Sequence, residues 1–144
     1  MKPENIPALA ERVADIRILR EHHVWAAADI LGLDELDDRS RRKFRTLMEA
    51  DALVDAVLLL AANAEPPRSI ETIRNHAGRW VCSTRHAFPG GSRSSTAEHA
   101  DLAAAVLAAL LVSFQQPSAH RRRRTTSFLQ LDRADSHDHP SRDH

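Results

Sequence analysis

Arg79-Trp80-Val81-Cys82-Ser83-Thr84-Arg85 is the stretch whose reading decides the fold. It is the one segment with strand character: alternation puts Trp80, Cys82 and Thr84 on one face and Val81 and Ser83 on the other. A strand needs a partner, and the nearest candidate, Ala87-Phe88, is too short to supply one with assurance. The segment therefore pairs within the fold, pairs across a dimer, or does not form. Everything around it reads as helix or loop, so the expected fold class is mainly α with one short β element.

Upstream, Glu4 to Leu31 reads as a helix. Leu9, Val13, Ile16, Leu19, His23, Ala27 and Ile30 step by three and four and give one apolar face. Asn5 can cap it, Pro7 suits its first turn, and Gly32 can end it. After an acidic connector, a second helix is expected from about Asp38 to Asn63, with Phe44, Leu47, Val54, Leu58 and Ala61 in one stripe. Pro66-Pro67 stops it. Two helices joined by a short loop most simply make an antiparallel hairpin. Arg68 to His76 is expected to be a short third helix, Ser69 capping it and Ile70 and Ile73 facing in, with Gly78 ending it.

Downstream, Pro89-Gly90-Gly91-Ser92 is a loop. Ser95-Thr96-Ala97-Glu98 fits a capping box that opens an Ala-rich helix from Thr96 to Val112. Its small residues allow close packing. At Pro117 the composition breaks. Arg121, Arg122, Arg123 and Arg124 lead into a tail of Asp, His, Ser and Arg. The expected organisation is a small mainly helical domain over 1–116 and a disordered Arg/His/Asp-rich tail over 117–144.

With 20 basic and 20 acidic residues the formal net charge is zero. The tail carries six Arg against four Asp, which leaves the body with fourteen basic and sixteen acidic residues. Neither part is polarised enough to mark a nucleic-acid binder by charge alone. The single cysteine, Cys82, rules out an intramolecular disulfide framework. The first residues lack a signal peptide's apolar stretch, and the longest apolar runs fall short of the roughly 20 residues of a membrane span. A cytoplasmic protein with no membrane association is expected.

Candidate chemistry is sparse. Asp34, Glu35, Asp37 and Asp38 precede Arg39, Arg41, Arg42, Lys43 and Arg45. The basic run can contact phosphates. More simply it pairs with the acids, since Glu35–Arg39, Asp37–Arg41 and Asp38–Arg42 all have i,i+4 spacing, each worth about 0.3–0.5 kcal/mol in a helix. Ala28 and Gly32 have the spacing of a helix-turn-helix, but the next apolar positions of that pattern fall on Asp38 and Arg41. Arg121 to Arg124 could bind nucleic acid by counterion release, dock on an acidic surface, or be solvated. The tail histidines His137, His139 and His144 could hold a metal only weakly.

In the body, His76, Cys82, His86 and His99 lack the paired spacings of a zinc site. A Cys82–His86 dyad would share a strand face but has nothing local to lower the thiol pKa. A buried cysteine and surface histidines are the simpler expectation. His23, on the apolar face, reads as a satisfied core histidine. Asp51 and Asp55, at i,i+4, mark the solvent side rather than an acid–base pair. No cofactor fingerprint, metal-ligand set or catalytic constellation is expected.

The leading expectation is a small non-enzymatic protein-interaction domain, either self-associating or an adaptor, with Trp80, Val81, Leu102, Val106 and Leu110 as its interface. The alternative is a nucleic-acid-associated regulator using Arg39, Arg41, Arg42 and Arg45 or the Arg121–Arg124 run.

Overall fold

The computed structural model describes Lys2 and residues 5–115. The elements run α1 (Ile6–Asp15), α2 (Glu21–Leu31), a 3-10 turn (Leu33–Glu35), α3 (Asp38–Glu49), α4 (Leu53–Ala62), β1 (Ser69–His76), β2 (Arg79–Phe88), β3 (Gly91–His99) and α5 (Leu102–Phe114). The strands pair in chain order as an antiparallel meander. The expectation of a mainly α fold with one short β element is thus corrected. Three strands of 8, 10 and 9 residues make an α+β fold in which helices cover one face of a sheet.

Local physics explains each change. The expected third helix is β1. Two-residue connections close both hairpins. Ala77 (φ 54°) and Gly78 (φ 82°) join β1 to β2, and Pro89 with Gly90 (φ 97°) joins β2 to β3. Two positive φ angles in succession suit the right-handed twist of a hairpin. The capping-box residues Ser95 to Glu98 lie in β3, paired with β2 from Thr84 to Val81. The helix beyond them starts later, at Leu102, where the Asp101 carboxylate accepts the Ala104 N–H at 3.1 Å.

The two long helices expected upstream are each broken. Ile16 takes an extended conformation (ψ 159°) and ends α1, and the chain re-enters α2 at Glu21. There the His23 Nδ1 accepts the Arg20 N–H at 3.0 Å, the backward half of a capping box. Asp51, at φ 58°, separates α3 from α4.

The core lies between α5 and the sheet and extends to α1, α2 and α4. In α5, Ala104, Ala105, Val106, Leu107, Ala109, Leu110 and Leu111 are all fully buried. Its alanines let the helix sit close to β3 and β2, while burial of each Leu contributes about 1.5–3 kcal/mol. Trp25 stands edge-on to the buried Phe44 at 5.2 Å and ties α2 to α3.

Two charged residues clamp the layers. Asp101 also accepts the Leu19 N–H at 3.1 Å, so the α1–α2 connection is held to the start of α5. At the opposite end, the buried Arg68 donates from Nε to Ser113 Oγ (2.9 Å), from Nη2 to the Ser113 carbonyl (3.1 Å) and from Nη1 to the Pro66 carbonyl (2.6 Å). Its guanidinium lies 3.9 Å over the Phe114 ring. No carboxylate pairs with it among the described residues. The negative end of the α5 dipole, at which the guanidinium sits, offsets its charge.

Candidate functional site

The sheet has two unlike faces. Ladder pairing places Ile70, Ile73 and Asn75 of β1 beside Thr84, Cys82 and Trp80 of β2, and those beside Ser95, Ala97 and His99 of β3. This is the inner face, toward α5. The outer face carries Thr72, Ser83 and Thr96 in one row, with Ser83 and Thr96 hydrogen-bonded at 2.9 Å. Glu71 holds Arg85 at 2.5 Å and accepts the Ser94 hydroxyl at 3.0 Å, and Arg79 meets Glu98 at 2.8 Å. Short hydroxyls and matched charges of this kind make a solvated face.

The helical cover of the inner face is off-centre. α5 packs on β3 and β2, and α4 reaches β1 only near its start. Burial along β1 falls away accordingly: Ile70 packs against the core, Ile73 is 40% exposed, and Asn75 is exposed. Ile73 lies diagonal to the half-buried Trp80 on this face. β1 is also an edge strand, with no partner on its far side among the described residues. An apolar rim and a row of backbone donors and acceptors with no strand partner among the described residues thus coincide.

The five residues expected to form an interface do not share one surface. Trp80 lies on the inner face of the sheet and Val81 on the outer; both are half-buried, as is Leu102 at the start of α5. Val106 and Leu110 are 0% exposed and belong to the core of the single chain. Neither side chain is open to a partner in the folded chain. Ile73, which a helical reading of β1 turns inward, is instead 40% exposed on the inner face of the sheet.

The charge block does not form the expected Asp37–Arg41 or Asp38–Arg42 ion pairs. α3 begins at Asp38, with Asp37 as its N-cap and Glu35 in the turn before it. Asp37 turns to Ser40, whose hydroxyl holds its carboxyl below the ordinary range. Asp38 pairs with Arg41, which also bonds the Asp34 carbonyl. No ion pair among the described residues engages Arg39, Arg42 or Arg45. Arg121 to Arg124 and the tail histidines lie outside the described residues.

Cys82 is fully buried, and desolvation pushes its thiol up to about 11. Its ladder neighbours are Ile73 and Ala97, which can take no proton. His86 is four residues along the strand, roughly 13 Å away at strand rise, too far for a dyad. The expected surface histidines are corrected at two positions, since His86 and His99 are buried. His99 is built into the frame. Its Nδ1 accepts the Asp101 N–H at 2.9 Å, so Nε2 carries the proton and donates to the Val13 carbonyl at 3.1 Å. Asp51 and Asp55 are exposed. No group of three metal-ligating side chains occurs among the described residues.

No protein-family model, curated protein or solved structure matches the chain. No helix of the described residues is long and apolar enough to cross a membrane.

Two buried histidines set a pH dependence. His23 is held below its ordinary value of 6.5 by desolvation and then by His22, and His86 by desolvation and then by Arg68 and Arg93. Both stay neutral in the fold where the unfolded chain already takes up protons. Protons therefore favour the unfolded state. Stability is full above about pH 6.5 and falls as the pH drops below it, until the folded-state imidazoles also titrate. Urea midpoints between about pH 5 and pH 7.5 measure this, and the double variant His23→Asn/His86→Gln should lose most of the slope. An unchanged slope would place the titrating groups elsewhere.

Proposed function

We propose that this chain is a small non-enzymatic protein-interaction domain whose contact surface is the uncovered rim of its sheet. The observation that carries the reading is Ile73. It is a large apolar side chain on the core-facing side of an edge strand, left exposed because the helices stop short of it. Trp80 lies diagonal to it on the same face, and the backbone edge of β1 offers hydrogen bonds that any extended partner can take up. A photo-crosslinking side chain at position 73 tests this in cells. It should trap a protein, whether this chain or another, while the same group at the outer-face position Thr96 traps none. Equal trapping at both positions, or none at 73, would overturn the reading.

A second reading is favoured by one observation: Arg39, Arg42 and Arg45 are exposed on α3 without a carboxylate partner among the described ion pairs. With Arg41 they could lie on phosphates. Asp34, Glu35, Asp37 and Asp38 stand at the same end and oppose a polyanion. If this surface is used, binding to a random duplex must survive near-physiological salt and weaken when these arginines become Ala.

A further inference from the structure

We infer that the occupant of the β1 edge is a second copy of this chain, its β1 laid antiparallel on this one about a two-fold axis through Ile73. The inference rests on the reading of the rim as a contact surface and names its partner. The argument is one of register. β1 pairs with β2 through Ser69, Ile70, Thr72, Ile73, Arg74, Asn75 and His76, and Glu71 is the extra residue of a bulge. Ile73 is the middle member of that set. A two-fold antiparallel pair centred there uses the whole strand. It sets Ile73 opposite Ile73 of the second copy, Thr72 opposite Arg74, Ile70 opposite Asn75 and Ser69 opposite His76. Each of these pairs keeps like faces together. Ile70, Ile73 and Asn75 share the inner side, and Ser69, Thr72, Arg74 and His76 share the outer. Moving the centre by one residue keeps like faces together but shortens the pairing: at Thr72 it leaves Asn75 and His76 without partners, and at Arg74 it leaves Ser69 and Ile70 without partners and sets Arg74 against Arg74 of the second copy.

Charge agrees with the register. Arg74 is exposed, and no ion pair among the described residues engages it. The two-fold places it opposite Thr72 and beside Glu71 of the second copy, the one carboxylate on the strand. Arg85 and Ser94 already hold Glu71 on the outer face, where Arg74 also projects. The formal net charge of zero leaves no long-range repulsion between copies. The product is a continuous six-stranded sheet in which the exposed Ile73 of each copy covers the other, an isologous contact that closes on itself.

The test is a cysteine register scan on the full-length chain. Opposed Cβ atoms in an antiparallel pair approach about 4.5–5.5 Å, close to disulfide reach. The native Cys82 is buried with a raised pKa and adds little background. Under mild oxidation Ile73→Cys should form a covalent dimer. Thr72→Cys mixed with Arg74→Cys should do so too, while Thr72→Cys alone and the outer-face Thr96→Cys should lag by about tenfold or more. If Ile73→Cys dimerises no faster than Thr96→Cys, the two-fold pairing is wrong. If Thr72→Cys alone is the fastest, the register is wrong. A foreign protein trapped at position 73 in cells, with no disulfide dimer here, sinks the second copy and leaves the interaction surface standing.

Discussion

Replacing Val106 by Lys abolishes the helical circular dichroism of the chain. Val106 is fully buried on α5, with Ala105, Leu107 and Leu110 beside it in the same core. The substitution puts an ammonium where no carboxylate or water can meet it and adds atoms to a space already filled. An uncompensated buried charge costs about 3–5 kcal/mol, and overpacking typically adds about 1–3 kcal/mol. Small domains have only about 5–15 kcal/mol in total. Leu110→Lys should behave alike. Far-UV circular dichroism and urea titration decide the matter, with Ile73→Lys as the comparison. Ile73 is partly exposed, so its replacement should leave the helical signal intact. A folded Val106→Lys chain with an altered solution mass would return Val106 to the surface and contradict the packing described above.

Arg68→Met lowers stability by about 2–4 kcal/mol. Three donors are lost, and the carbonyls of Ser113 and Pro66 remain buried or half-buried without them. The methionine keeps part of the apolar stem and the contact with Phe114, so the loss reports hydrogen bonding more than volume. Arg68→Lys should recover little. A point charge cannot reach Ser113 Oγ, the Ser113 carbonyl and the Pro66 carbonyl in the planar arrangement that the guanidinium uses. Because the backbone N–H of Arg68 also bonds the Ala61 carbonyl at 2.8 Å, the damage should spread to the end of α4 and the start of β1. Chemical denaturation gives the magnitude. A change below about 0.5 kcal/mol would mean that the clamp is ornamental.

The sequence made several features legible. The alternation of Trp80, Cys82 and Thr84 marks β2 and assigns its faces, His23 is identifiable as a satisfied buried histidine, and the Ala-rich run marks α5. Other features are hidden for particular reasons. Ile70 and Ile73 are three apart, a helical spacing. They share a strand face only because Glu71 bulges out between them. Ala77 sits in a positive-φ turn position where Asn or Gly would have announced a hairpin. β3 is Ser/Thr-rich, with Ala97 as its one inner-facing aliphatic residue, so it shows no hydrophobic alternation. The apolar series from Leu9 to Ile30 continues unbroken through Ile16 to Arg20, where the backbone is not helical at all.

The rim is hidden by the same helical spacing: a helix over Arg68 to His76 turns Ile73 into the core and has no strand edge. The small residues of α5, which read as an open packing face, are covered by the sheet. Arg68 was equally unreadable, because its partners lie 45 residues away and carry no charge.

The most direct test of the account is the solution mass of the full-length chain, by light scattering behind a sizing column at moderate salt. The β1 edge predicts twice the 16.1 kDa of one chain, returning to a single chain when Ile73→Arg sets like charges across the two-fold. A wild-type chain that stays at 16.1 kDa at its highest soluble concentration, or a dimer untouched by Ile73→Arg, would contradict it.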